Sequence, residues 1–254
     1  MQIRTRKQQV EVVSREAAFT AAGLTDRGRC RQVNEDFFVI LKEAGAFVVC
    51  DGMGGAAAGE TASHLAGETA AAVLTRAEKG AAAIREAVRL ANDAVYERAR
   101  QDRRLEGMGT TLVALSLSDN TGWVGHVGDS RCYLWRSGKL ERLTQDHSLV
   151  EEQIRIGRLT HEQARRSPMQ NVITRAVGTR AEVVADVQEL QLQPDDLLLI
   201  ASDGLTRELT DAEIAGILRG NDGNLDRICA SLIAAANDAG GRDNITCVLV
   251  RMGS

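Results

Sequence analysis

The chain has 254 residues, 44% apolar and 26% charged, with a formal net charge of −4. That composition is a globular and not a disordered protein's, a folded chain of this size hides roughly 75% of its unfolded surface, and the acidic balance argues against a nucleic-acid protein built on a basic face. The odd set of five cysteines has no CxxC pair and no Arg six residues on, no apolar run reaches the roughly 18 residues of a membrane span, and the N-terminus lacks a signal-peptide core; a cytoplasmic protein with reduced thiols is expected.

Residues 1–18 are compatible with an extra edge strand or an arm. From Phe19, "FTAAGLTDRGRCRQVNEDFFVILKEAGAFVVCDG" gives strand, turn-rich segment, strand, short turn and strand, too close together for crossover helices and so antiparallel. Alanine and leucine at helical spacing predict helices over 56–76 and 80–101 with Gly80 as the break, the mixed charges of "ERARQDRR" forming a solvated end. "TTLVALSLS" and "WVGHVGDS" flank "DNTG", and "RCYLW" and "KLERL" flank "RSG", both hairpin patterns. Residues 148–166 read as helical and basic, closed by Pro168. Strands follow over 183–190 and 197–201, helices over 210–219 and 224–239, and a last strand over 245–251. Helices that arrive in pairs among hairpins predict α+β architecture, with helices packed on antiparallel sheets, rather than a parallel doubly wound sheet. With no repeat and no linker, residues 1–254 read as one domain.

"AFVVCDGMGG", residues 46–55, resembles a phosphate-cradling turn until Asp51 is considered, because a fixed carboxylate there repels the anion such a turn admits. Asp203 also follows an apolar strand and precedes glycine, Asp129 follows "WVGHVG", Asp243 precedes the final strand, and Glu35 and Asp36 precede an early one. Singly, each is an ordinary turn residue. Together they prefer the ends of the most buried strands, and alternating strand directions can bring them to one rim. Two carboxylates about 4 Å apart repel by about 4 kcal/mol at an effective dielectric of about 20, so such a cluster calls for a cation. An all-oxygen set favours Mg²⁺ or Mn²⁺; no EF-hand spacing supports Ca²⁺, and His64, His126, His147 and His161 lack zinc-site spacing. The Gly52 carbonyl, unobstructed by a side chain, can approach the same ion. Two ions sharing a water would activate it for in-line attack on phosphorus, which points to phosphate-ester hydrolysis.

"RCRQVNED", "VVCDGMGG", "GMGTTLVAL", "GHVGDSRCYL", "LTQDHSLV", "LLLIASDGL" and "GGRDNITCVLV" occur in the order and approximate spacing of the metal-dependent PP2C-type (PPM) serine/threonine phosphatases, bacterial branch, and the resemblance runs from Phe19 to Arg251. It implies a four-layer α-β-β-α sandwich, two antiparallel sheets flanked by helix pairs. It further implies that Asp51 bridges two Mn²⁺ or Mg²⁺ ions, that the Gly52 carbonyl, Asp203 and Asp243 complete the first, and that Glu35 acts through water on the second. Asp129 matches the ligand of a third, weaker ion; Asp36 and Asn244 would support the ligands from behind. Arg31 matches the arginine that grips the phosphate, work that suits a bidentate guanidinium. The implied reaction is hydrolysis of phosphoserine and phosphothreonine in proteins, opposing a bacterial serine/threonine kinase. Met53 stands where animal members carry a proposed proton-donating histidine, so the acid must be a metal-bound water or another group; His147 is one candidate, and His126 reads as structural. Residues 155–178 match a flap whose Arg155, Arg158, Arg165 and Arg166 either attract an acidic partner or form a solvated face. A binding module without activity would have lost ligands, and none of the matched positions is lost. Hydrolysis of a small phosphometabolite is chemically equivalent and differs only in what the flap and surface admit.

Overall fold

The computed structural model describes residues 19–76, 78–220 and 223–253. The segment expected to be an extra strand or arm, 1–18, lies outside them. Eleven strands occur among the described residues: β1 (Phe19–Asp26), β2 (Asp36–Leu41), β3 (Ala46–Met53), β4 (Gly109–Thr110), β5 (Leu112–Ser118), β6 (Thr121–Val127), β7 (Arg131–Arg136), β8 (Lys139–Arg142), β9 (Asp186–Gln191), β10 (Leu197–Ala201) and β11 (Ile245–Met252). The helices are α1 (Ala56–Arg76), α2 (Ala81–Gln101), α3 (Leu149–Arg155), α4 (His161–Arg165), α5 (Asp203–Thr206), α6 (Asp211–Arg219) and α7 (Leu225–Ala239).

One sheet has the order β1-β11-β10-β7-β8 and the other β2-β3-β5-β6-β9, with β4 beside β3. Every strand pairing is antiparallel. The alternation of strand side chains explains the uninterrupted apolar runs. In β3, Ala46, Val48 and Cys50 meet α1 and α2, while Phe47 and Val49 meet the opposite sheet. In β10, Leu197, Leu199 and Ala201 meet the α6–α7 side, and Leu198 and Ile200 point into the seam between sheets. A strand covered on both faces has no polar side to show. Three apolar interfaces thus separate four layers, the expected α-β-β-α sandwich.

Differences from expectation are local. The basic stretch 148–166 is two short helices, α3 and α4, interrupted at Gly157, whose φ of 74° favours glycine. Thr160 restarts the chain with a capping box to Gln163. Strand β9 begins three residues later than its apolar pattern predicts, and is an edge strand with most side chains exposed. Asp203 opens the short helix α5 instead of standing in a turn.

Register decides which ends of the strands meet. Asp36 pairs with Asp51, so the start of β2 lies beside the end of β3. Ala201 pairs with both Cys247 and Arg131, which brings the end of β10 to the starts of β11 and β7. Acids just outside those ends therefore share one rim.

Candidate active site

The rim opens as a cavity of about 350 Å³ lined by Arg31, Glu35, Asp51, Gly52, Asp203 and Asp243, among others. A larger one of about 550 Å³ adjoins it, shares Asp203 and Arg207, and includes Asp129. The structure thus gathers every acid of the expected ligand set into two hollows that share lining residues. The smaller one brings together six acids and arginines, Arg31, Glu35, Asp51, Asp203, Arg207 and Asp243, from distant segments of both sheets.

The end of β3 is fixed by the "GTT" segment. The Asp51 amide donates to Thr111 Oγ1 (3.0 Å), and the Asp51 carbonyl accepts from the Thr111 amide (2.9 Å) and Thr110 Oγ1 (2.9 Å). The Gly52 amide donates to the Glu35 carbonyl (3.1 Å). A Cβ at Gly52 would lie 2.1 Å from the Gly59 carbonyl oxygen, so only glycine lets α1 dock this closely on the loop.

Asp36 and Asn244 lie behind the cavity. Asp36 Oδ2 accepts from Ser202 Oγ (2.8 Å) and Thr246 Oγ1 (2.7 Å), joining β2 to the opposite sheet. Asn244 Oδ1 accepts from the Glu35 amide (2.8 Å), and its Nδ2 donates to the carbonyls of Arg27 (3.0 Å) and Val33 (2.9 Å). One side chain thereby holds the whole loop that carries Arg31 and Glu35. Arg31 is half-exposed at the mouth; its Nη2 donates to Asp243 Oδ2 (2.8 Å), and its Nη1 lies 3.8 Å from Glu35 Oε2.

The acids are held at unusual titration points. Burial, then the charges of Asp36, Asp203, Asp129 and Asp243, push Asp51 well above the ordinary range. Asp203 is raised as well, by burial first and by the charge of Asp243, against the pull of Arg207. Burial and neighbouring acids lift Asp36 to about 7, even though its two hydroxyl donors oppose the rise. Asp129 is likewise raised to about 7 by burial and Asp203, against the pull of Arg207. Glu35 is raised by burial and by Asp243. Crowded carboxylates in this state can be charged together only if a cation joins them.

Unpartnered buried oxygens point the same way: Glu35 Oε1, Asp36 Oδ1, Asp129 Oδ1 and Asp203 Oδ1 have no hydrogen-bond partner. An orphaned buried acceptor is costly, and a hard divalent ion satisfies several at once. The donor set fits Mn²⁺ or Mg²⁺.

A different group, His126, His147 and Asp186, brings its candidate ligand atoms within 4.8 Å of one another. It does not form a metal centre of the same kind. The two rings stack with centroids 4.6 Å apart and planes inclined by 17°. An imidazole lone pair lies in its ring plane, so near-parallel stacked rings do not aim at one ion. Their hydrogen bonds are structural instead. His147 Nδ1 accepts from the Gly128 amide (3.1 Å), Nε2 lies 3.2 Å from Asp186 Oδ2, and His126 Nε2 lies 2.8 Å from the Gln145 carbonyl. His147 does not line the smaller cavity; it holds the loop leading to Asp129.

Main-chain bonds extend that support to the flap. The His147 amide donates to the Gly128 carbonyl (3.0 Å), the Thr174 amide to the His147 carbonyl (2.8 Å), and the Leu149 amide to the Val172 carbonyl (2.8 Å). The flap brings Asn171 and Ile173 to the cavity. Arg155, Arg158 and Arg166 are exposed and line neither hollow, and Arg166 pairs with Glu162 at 2.9 Å.

Arg207 escaped sequence reading. It follows Asp203 by four residues, one helical turn, and that spacing was the available signal. Its Nη2 is 2.9 Å from Asp129 Oδ2 and also contacts Asp203 Oδ2.

Comparison with known proteins agrees with this geometry. Residues 27–249 match the family model described as Protein phosphatase 2C, and the chain belongs to that family. A serine/threonine phosphatase, stp, of Listeria welshimeri is 38% identical over 237 residues, covering 89% of this chain and 93% of the relative. The protein phosphatase PhpP of Streptococcus pneumoniae is 36% identical, covering 90% and 96%. Among solved structures, the Mycobacterium tuberculosis serine/threonine phosphatase PstP/Ppp superposes with a TM-score of 0.87 at 34% identity, covering 93% of this chain and 99% of that one. The PstP catalytic domain in complex with two manganese ions gives 0.85 at 33%, with the same coverage.

Proposed function

We propose that this protein hydrolyses phosphoserine and phosphothreonine in proteins, using two Mn²⁺ or Mg²⁺ ions held by Asp51, the Gly52 carbonyl, Asp203 and Asp243, with Glu35 acting through water on the second. Membership of the family makes it a metal-dependent serine/threonine phosphatase. The observation that carries the finer reading is the convergence of Arg31 and four buried or half-buried acids from both sheets on one cavity of about 350 Å³, with oxygens left unpartnered.

The ions would supply a shared water of lowered pKa, aligned for in-line attack on phosphorus. The chain's own residues do the rest. Arg31, at the mouth and already turned toward the acids, binds two phosphate oxygens and orients the ester. Asp51, its backbone pinned by Thr110 and Thr111, would hold both ions. Asp36 and Asn244 keep the ligand loops in place from below. Met53 lines the cavity and has no proton to give, so the leaving alkoxide is protonated by another group. Asp129 would hold a third, weaker ion. The protein acts in the cytoplasm and opposes a serine/threonine kinase.

A Mn²⁺-titrated assay on phosphoserine, phosphothreonine and phosphotyrosine peptides tests this, with a panel of phosphometabolites in competition and Asp51→Asn as control. Expected is chelator-sensitive turnover of the first two peptides only. Preferred turnover of a metabolite, or activity that survives EDTA, would overturn it.

A further inference from the structure

We propose that Arg207 is a tethered cation that competes with a divalent ion for Asp129 and so limits how many ions the pocket holds. The inference rests on the two-ion reading above and adds a feature of this chain to it.

Arg207 closes the short helix α5 with its amide bonded to the Asp203 carbonyl at 2.8 Å, and its side chain folds back along that turn. The guanidinium stands between Asp129 and Asp203, touching one oxygen of each. The other oxygens, Asp129 Oδ1 and Asp203 Oδ1, are buried and unpartnered. Both carboxylates are thus half-satisfied, and both hold the same guanidinium in the space between them. A guanidinium and a divalent ion cannot share it, because their charges repel across a poorly screened gap.

The structure also offers Arg207 somewhere to go. It lines both hollows, and the larger one, about 550 Å³, presents Asp211 together with Asp146 and Glu151, of which Asp146 already pairs with Arg131 and Arg142 and Glu151 with Arg142. With the side chain between the acids, Asp129 is neutralised internally and only the core ions bind tightly. With the side chain swung into the larger hollow, Asp129 and Asp203 are released to a further ion. The apparent affinity of that ion is lowered by the fraction of time Arg207 stays between the acids.

Equilibrium dialysis of Mn²⁺ against the full chain tests this without reference to turnover. Wild type is expected to bind two ions tightly and a further one weakly. Arg207→Ala should tighten the weak site about tenfold, the factor expected if the site is open about a tenth of the time. Arg207→Lys, which keeps the charge, should fall between them, and Asp129→Asn in the Arg207→Ala background should abolish the gain. Circular dichroism confirms folding, and Arg207→Gln, closer in length, replaces Arg207→Ala if that variant fails to fold. An unchanged weak site in both charge-removing variants, or a gain that survives Asp129→Asn, overturns the role of Arg207 while leaving the two-ion reading intact. Absence of any tight Mn²⁺ binding by wild type sinks that reading first, and the competition with it.

Discussion

Strand β10 has a buried aspartate near each end, and the two are finished in opposite ways. Asp196, 1% exposed, precedes the strand. It accepts from Arg136 Nε (2.7 Å) and Nη2 (2.5 Å) and from the Gln193 amide (2.8 Å). Asp203, 7% exposed, follows it and keeps Oδ1 without a partner while facing Asp51 and Asp243. The same residue type on the same strand serves two ends. Asp196 has donors on both oxygens, whereas Asp203 has one oxygen on Arg207, the other without a hydrogen bond, and further acids close by.

Substitution at the two ends should sharpen that contrast. Asp51→Asn or Asp203→Asn should lower kcat on a phosphothreonine peptide by about 10³-fold, the equivalent of several kcal/mol of lost ion-mediated stabilisation. The same variants should melt higher than wild type in EDTA at pH 8, since one of several repelling charges is gone. Asp196→Asn should do the reverse. Loss of a hydrogen-bonded partner for Arg136 should cost roughly 2–3 kcal/mol in a urea titration, below the cost for a fully buried pair because Arg136 reaches solvent. Turnover should be unchanged. If Asp196→Asn instead abolishes activity while melting normally, the division between the two ends is wrong.

Smaller effects probe the layer beneath. Asn244→Ala should reduce Mn²⁺ affinity or kcat/KM about 10- to 100-fold, the range for groups that orient ligands, because Glu35 and the Arg31 loop lose their anchor. Metal-free protein should also show a distinctive pH dependence. Asp36 and Asp129 titrate near 7 when folded, against an ordinary 3.8, so between those values the folded state holds more protons than the unfolded. Stability is then fully present at acid pH and falls as pH rises toward 7, with each carboxyl contributing at most about 1.4 kcal/mol per pH unit. Thermal melts in EDTA from pH 4.5 to 8 should decline, and saturating Mn²⁺ should remove the decline.

Much of this was legible in the chain because strand and helix periods are local signals. The Asp-Gly pairs at 51 and 203 stand at the ends of runs buried on both faces, and the helix pairs exclude the parallel alternative. What stayed hidden depends on contacts far apart in sequence. Ser202 and Thr246 read as ordinary small polar residues until the register of β10 with β11 puts both hydroxyls on Asp36. Asn171 and Ile173 have no periodic context. His147 was a candidate acid by its position in "QDHSL", but its ring nitrogens are directed to Gly128 and Asp186. Arg207 was readable in principle from its spacing to Asp203, but no local rule says that a guanidinium should sit beside a candidate ion site.

The ladder from Thr174 through His147 to Gly128 has an engineering consequence. Flap and Asp129 loop are stitched in one register, so a flap borrowed from a related phosphatase is best joined outside residues 128–174. A chimaera spliced there carries its own stitches; one spliced between 148 and 173 must rebuild them across a foreign seam. Exchanging the flap in this scaffold is therefore a matter of moving the pair of segments as a single cassette.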